Sequence, residues 1–302
     1  MDRREFIKTG AVVAASSVLP WGSLFAEEIK PVVWEIEGSP AAAVEHLFSS
    51  IGGLEKLIPG GAEGATVLLK PNICLPHPPA SATTTSPELI DALCSYLAGN
   101  KVKRIVVTDH TLQKAERFED NAIVKVGEKY KQAKVILANE QRYYEPTEVE
   151  GKVLKKTELL KTLDRADLVI NVATAKNHSA THVSLAVKNL MGVIWNRSEF
   201  HTELDLHQAI GDLALAVRPG LNIIDASRVL LSGGPTGPGQ VTKDGRIFAS
   251  TDILALDSVV TARYAFGGKT LTAKEVPHLR AAYDNGVGEI DIKKIDLQKV
   301  KV

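Results

Sequence analysis

A chain of 302 residues with 36 Lys+Arg against 36 Asp+Glu is formally neutral at pH 7, so it lacks the basic field of a nucleic-acid binder and no nucleic-acid partner is expected. Hydrophobic residues make up 44% of it, enough for one large core or two modest ones. Its two cysteines, Cys74 and Cys94, fall in no Cys-x-x-Cys pair, which excludes a conventional iron–sulfur cluster held by this chain alone.

The first element is Asp2-Arg3-Arg4-Glu5-Phe6-Ile7-Lys8, followed by an apolar stretch from Ala11 to Ala26. An arginine pair, an aromatic residue and Ile-Lys ahead of an apolar run make a twin-arginine export signal, so the export machinery is the first expected partner. The run is interrupted by Pro20 and Gly22 and is shorter than the ~20 residues a spanning helix needs. Cleavage after Ala26 would release a periplasmic protein with no stable membrane insertion, and an uncleaved signal would leave it anchored. An ordinary secretory signal is the alternative.

Beyond residue 26, short β-branched runs alternate with helical segments. Val32 to Ile36 reads as a strand, and Ser39 caps a helix opening at Pro40. Thr66 to Leu69 is a strand leading into Lys70-Pro71-Asn72, and Ser86-Pro87-Glu88 opens a helix through Leu97. Arg104 to Thr108 is a strand, residues 118–130 are helical, and Val135 to Leu137 is the next strand. Asp167 to Val172 is a continuous apolar run, as expected of a strand covered on both faces. Leu221 to Asp225 is another strand, and a helix over Ile253–Phe266 is capped by Thr251 or Asp252. This alternation predicts an α/β fold with a mostly parallel or mixed sheet and helices on both faces. Residues 27–302 form that domain, with a weak sub-lobe boundary near Val149-Glu150-Gly151. The Pro- and Thr-rich stretch from Pro71 to Thr85 is long for a loop and reads as a lid or site loop. Cys74 and Cys94 form one disulfide or, the preferred reading, stay independent thiols.

The densest polar segment, Thr174 to His182, follows the strand ending at Val172, where α/β sheets bind ligands. Lys176 and Lys188 are candidates for a small anionic ligand. Helical spacing of Val183, Ala186, Val187, Leu190 and Met191 predicts that these five are core. His178 and His182 lie four apart, which on a helix is the spacing of a two-histidine metal site, so a divalent metal is a candidate cofactor. In Glu199 to His207, His201 with Asp205 and Glu203 with His207 are four apart on one expected helix, and Asp212 is seven beyond Asp205. A carboxylate beside an imidazole suits acid–base work, which nominates His178, His201 and Asp205 as catalytic, with Asp205 and Asp212 orienting the histidines. An exposed, charge-laced helix is the plainer reading of that segment. Gly233-Gly234-Pro235 begins a glycine-rich loop that lets backbone approach a ligand, although it lacks a Walker loop's Gly-Lys-Ser/Thr. Lys70, Asn72, Asp109-His110, Asp225 and Asp252 also fall near strand ends.

Lys70-Pro71-Asn72, Lys176-x-His178, Val187-Lys188-Asn189-Leu190-Met191-Gly192, Asp212-Leu213-Ala214, Arg218-Pro219-Gly220 and Ala255-Leu256-Asp257 together resemble the domain of unknown function 362 family, over roughly residues 65–268. The resemblance adds Asn189, Gly233 and Gly234 to Lys70, Asn72, Lys176 and Lys188 as ligand-binding candidates. Many members carry ferredoxin-like cysteine clusters, which this chain lacks. The family is similar, distantly, to nickel-pincer lactate racemases, which implies a nickel-type cofactor held by His and Lys residues. The function expected is therefore an exported, cofactor- or metal-dependent enzyme acting on a small anion at the carboxyl edge of the sheet. The alternatives are a non-catalytic periplasmic binding protein for a metal or organic anion, and a partner subunit of an exported redox complex.

Overall fold

The structure, a computed structural model, describes residues 30–302, so the export signal expected from the sequence lies outside the described residues. The elements in chain order begin β1 (Val32–Glu37), α1 (Pro40–Ile51), β2 (Thr66–Pro71), α2 (Pro87–Gly99), β3 (Arg104–Asp109), α3 (Ala122–Glu128) and β4 (Ala133–Leu137). A hairpin of β5 (Tyr144–Glu148) and β6 (Lys156–Leu160) follows, spanning residues 149–151, and then β7 (Leu168–His178) and β8 (His182–Ser184). Short helices α4 (Ala186–Asn189) and α5 (Arg197–Thr202) lead to α6 (Leu206–Ala216). The chain closes with β9 (Leu221–Leu230), β10 (Val241–Ser250), α7 (Ile253–Arg263), α8 (Pro277–Asp284) and β11 (Asp296–Lys301).

The main sheet runs β11-β1-β10-β9-β7-β2-β3-β4, with β8 paired to β7. Pairs from β9 to β4 are parallel, and β10 is antiparallel to both its neighbours. One face, with Val67, Leu69, Val107 and Ile170, is covered by α1–α3 through Leu47, Leu93 and Ile123. The other face, with Ala173, Ala175, Ile224 and Phe248, is covered by α6–α8 through Leu213, Leu254 and Leu279. Each fully buried Val, Leu, Ile or Phe side chain among these contributes about 1.5–3 kcal/mol. The α/β class expected from the sequence is therefore observed, as are the caps: Ser39 accepts from the N–H of Ala42, and Asp252 from those of Leu254 and Ala255.

The topology fixes where a ligand site forms. From β2 the chain steps one way through β3 to β4, then crosses back to place β7 and β9 on the other side of β2. Connections leave in opposite directions at the β2/β7 boundary, and a crevice opens at the carboxyl ends of strands at such a switch point. The stretch after β2 arches over it. Its base is pinched where the N–H of Thr85 donates to Asn72 O (3.0 Å) and that of Asn72 to Thr85 Oγ1 (2.8 Å), while Thr85 Oγ1 donates to Val172 O of β7 (2.8 Å).

Two local expectations are corrected. The strand expected to end at Val172 continues as β7 to His178, so His178 lies on a strand and not on a helix. Ala173 and Ala175 enter the core while Lys176 and His178 line the crevice, a period-two pattern that a strand requires. Residues 183–191 are not one helix but β8, the single turn α4 and a 3-10 turn. The five predicted core residues there are nevertheless all buried.

Candidate functional site

A cavity of about 330 Å³ sits at the switch point, lined from β2 and its loop (Lys70, Asn72, Cys74), β3 (Asp109), β7 (Lys176, His178), and the segment from Ser184 to His201. Pro235 and Thr236 of the glycine-rich loop complete its rim.

Its floor is an ion pair. Lys70 Nζ lies 2.8 Å from Asp109 Oδ1 with both side chains buried, and it also donates to Pro71 O (2.7 Å) and Asn189 Oδ1 (3.1 Å). Asp109 Oδ2 accepts from the N–H of Ile73 (2.8 Å). Burial lowers the Lys70 pKa, with Asp109 opposing it. Three acceptors satisfy an ammonium, so Lys70 is tied into the floor rather than free for a ligand. Gly192 lies against this pair: a Cβ there would fall 1.9 Å from Asp109 Oδ1 and 2.4 Å from Lys70 Nζ, so no larger residue fits without displacing both.

The remaining cations have no carboxylate partner among the described residues. Lys176 Nζ, buried, donates to Thr83 O (2.6 Å) and reaches Asn72 Oδ1 at 3.5 Å, and burial lowers its pKa. Lys188 projects from α4, partly exposed to the cavity, and among the described residues its Nζ bonds only to Met191 Sδ, at 2.9 Å. Burial, then the charges of Arg197 and Lys176, push its pKa down to about 7. Arg197, at the start of α5, donates through Nη2 to His110 O (2.6 Å), and its buried Nε has no partner. Backbone clamps hold α4: Asp257 Oδ1 and Oδ2 accept from the N–H groups of Ala186 (2.8 Å) and Val187 (2.9 Å). Asn189 Nδ2 donates to Asn171 Oδ1 (2.8 Å), tying the turn to β7.

His178 and His201 also line the cavity. His178 Nδ1 accepts from the N–H of Ala180 (3.1 Å), so in the neutral ring Nε2 carries the proton. Burial, then Lys188, Lys176 and His201, lower its pKa to about 3. The His201 pKa is lowered by burial and by Lys188 and Arg197. Both rings are thus neutral near pH 7.

Of the residues nominated from sequence, Lys70, Asn72, Lys176, His178, Lys188, Asn189 and His201 converge on the cavity. Gly233 and Gly234 lie behind its rim. A Cβ on Gly234 would sit 1.7 Å from the carbonyl oxygen of Asn177, so this glycine serves the packing of the loop on β7. His178 and His182 face each other across the β7–β8 hairpin instead of sharing a helical face, and His182 is exposed. No group of three or more His, Cys, Asp or Glu able to hold a metal exists among the described residues, and two imidazoles beside unpaired lysines do not fit a bare divalent cation. Asp205 does not share a helix with His201. Helix α5 ends at Thr202, and Asp205 caps α6 by accepting from the N–H of Gln208 (2.8 Å). Asp212 orients no histidine, since it accepts from the N–H groups of Val153 and Leu154. Asp225 holds the N–H of Ser86 (2.6 Å). His110 stacks on Trp195, with ring centroids 5.3 Å apart, and supports Arg197 from behind. Cys74 lines the cavity and Cys94 is buried in the helical layer, both as free thiols. Sequence reasoning missed Arg197, which no spacing singled out, and Asp257, which the family resemblance named without a role.

A thylakoid-associated protein, sll1697, of Synechocystis sp. is 24% identical over 231 residues, covering 74% of this chain and 70% of that one. The lactate racemase apoprotein of Thermoanaerobacterium thermosaccharolyticum superposes with a TM-score of 0.45 at 13% identity, covering 77% of this chain. This chain spans 57% of the racemase, and a likeness of that depth carries no argument about chemistry. The family model described as domain of unknown function (DUF362) matches residues 67–262, and the chain belongs to that family.

Proposed function

We propose that the protein is an exported enzyme that binds a small organic anion in the cavity at the β2/β7 switch point. One observation carries this reading: four cationic side chains line the cavity, and Asp109, the one carboxylate lining it among the described residues, is already engaged by Lys70. Cations left without counter-charge in a concave, partly buried site favour an anion strongly, because low local dielectric magnifies each charge. Arg197 is suited to a carboxylate or phosphate by its fork of donors. Lys176 supplies a second charge, and the neutral histidines supply hydrogen bonds and proton transfer. The ligand in this reading is a substrate or an anionic organic cofactor, not a bare metal ion, and no step is routed through a metal. The arginine pair and the short apolar run at the N-terminus support the exported part of this reading. Among the described residues no helix is long and apolar enough to cross a membrane.

Calorimetric titration with small carboxylates, phosphate and neutral alcohols tests the site. Carboxylates should bind, and Arg197→Gln or Lys176→Met should weaken them by about 10- to 100-fold, the equivalent of one lost charge-assisted hydrogen bond. Absence of any anion binding at millimolar concentration would defeat the proposal. Replacing Arg3 and Arg4 by Lys should block export of the folded chain; continued export would remove that part.

A further inference from the structure

We propose that Lys188 is an imine-forming amine, and that the anion is an oxo acid whose ketone or aldehyde carbon lies next to its carboxylate. This rests on the anion site above and names its substrate class.

The three lysines of the cavity differ in what holds them. Lys70 Nζ has three oxygen acceptors and Lys176 Nζ has two, whereas Lys188 Nζ touches a thioether sulfur, a weak acceptor. An ammonium so placed gains little from its surroundings, and a free amine loses little. The groups facing it from the neighbouring elements are Arg197, Lys176, Lys70, Cys74, His178 and His201. The cations among them favour the uncharged amine. A desolvated lysine beside other cations is the arrangement that makes an amine nucleophilic near neutral pH. The position is also rigid, since Asp257 clamps the turn before Lys188 and the Asn189 side chain locks the residue after it.

The same cavity offers an anchor for the carboxylate. Arg197 is pinned at one end by His110 O, and its buried Nε has no hydrogen-bond partner among the described residues. A carboxylate held there, within about 330 Å³, leaves room for an acid of only a few carbons beside Lys188. His178, with its Nδ1 taken by the N–H of Ala180, can present Nε2–H to a carbonyl oxygen without carrying charge. The His201 ring, which makes no hydrogen bond among the described residues, serves as the proton shuttle.

The step balances without a further reactant. The lone pair of Lys188 Nζ attacks the carbonyl carbon, forming the C–N bond. The carbonyl π pair moves to oxygen, which takes the proton that nitrogen loses, relayed by His201. The carbinolamine then releases its hydroxyl with a second proton as water, leaving C=N. Nothing is oxidised or reduced.

The test uses the full chain with pyruvate as the carbonyl probe and acetate as an anion without a ketone. Borohydride added to the pyruvate mixture should fix one adduct per chain, located at Lys188 by peptide mass mapping. The adduct should be absent from Lys188→Arg and Lys188→Met, while acetate binding persists in the arginine variant. Yield in the wild type should rise as pH rises through about 7. Acetate binding with no trapped pyruvate, or trapping at Lys176 instead, would overturn the imine and leave the anion site standing. Failure of both anions to bind would overturn the site and the imine together.

Discussion

Asp109→Asn tests the floor of the cavity most directly. The wild-type carboxylate lies 2.8 Å from Lys70 Nζ, with side-chain exposures of 2% and 1%. Asparagine keeps the volume and can still accept from the N–H of Ile73, but it leaves a buried ammonium without counter-charge. Removing one partner of a buried pair costs about 3–5 kcal/mol. At roughly 2–3 °C per kcal/mol for a domain of this size, Tm should fall by about 6–15 °C. Lys70 retains Pro71 O and Asn189 Oδ1, which places the loss toward the lower part of that range. Combining Asp109→Asn with Lys70→Met removes both charges and should restore most of the stability, since a buried pair replaced as a unit is near neutral. Urea denaturation of the wild type, both single variants and the double variant gives the coupling energy, expected at about 2 kcal/mol or more. Coupling near zero, with additive losses, would refute the pair as the organising contact of the floor. Where the single variant folds, loss of the one carboxylate that lines the cavity among the described residues should also tighten acetate binding.

Asp257→Asn should cost about 1–3 kcal/mol, because an amide nitrogen replaces one of the two oxygens that accept from the N–H groups of Ala186 and Val187 and leaves a buried donor unpaired. Burial raises the Asp257 pKa from 3.8 to about 7, so the folded chain binds more protons than the unfolded one between those values, and this residue's contribution falls as pH rises through that window. Denaturation across pH 4–8 should show the decline in the wild type and a shallower one in the variant; equal slopes would refute it. Non-covalent acetate binding should tighten as pH falls through about 7, where Lys188 gains its proton, and Lys188→Met should flatten the dependence measured by calorimetry. Unreduced protein should titrate as two free thiols, with iodoacetamide reacting at Cys74 and sparing Cys94, whose pKa burial pushes up to about 12. One blocked thiol pair would refute this.

What the sequence revealed and what it hid follow from the range of the interactions involved. Local signals were legible: Ser39 before Pro40, the apolar run of β7, and Asp252 before α7 each act within one turn or one strand. Residues 183–191 misled because the spacing of buried positions is shared by a helix and by a strand followed by tight turns. Asp257, seventy residues further on, decides between them by holding the N–H groups of Ala186 and Val187. The α5/α6 break was legible in principle, since Asp205 with Gln208 three residues on is a cap signature, and reading it would have separated His201 from Asp205.

The neutral composition concealed the cavity for a related reason. Asp205 was nominated as catalytic and Asp212 as orienting, and Asp225 and Asp252 fell near strand ends, yet these four and Asp257 all accept from backbone N–H groups. Such a carboxylate satisfies donors that would otherwise be buried unpaired, and it is then turned away from any ligand. Asp109 does the same for Ile73 while neutralising Lys70. With these carboxylates committed to the backbone, Lys176, Lys188 and Arg197 meet no counter-charge among the described residues, and a chain of zero net charge acquires an electropositive pocket. The specificity of the site therefore rests as much on where the aspartates are held as on the cations themselves, and relocating one carboxylate into the cavity, as in Thr236→Asp at its rim, should weaken anion binding without touching the fold.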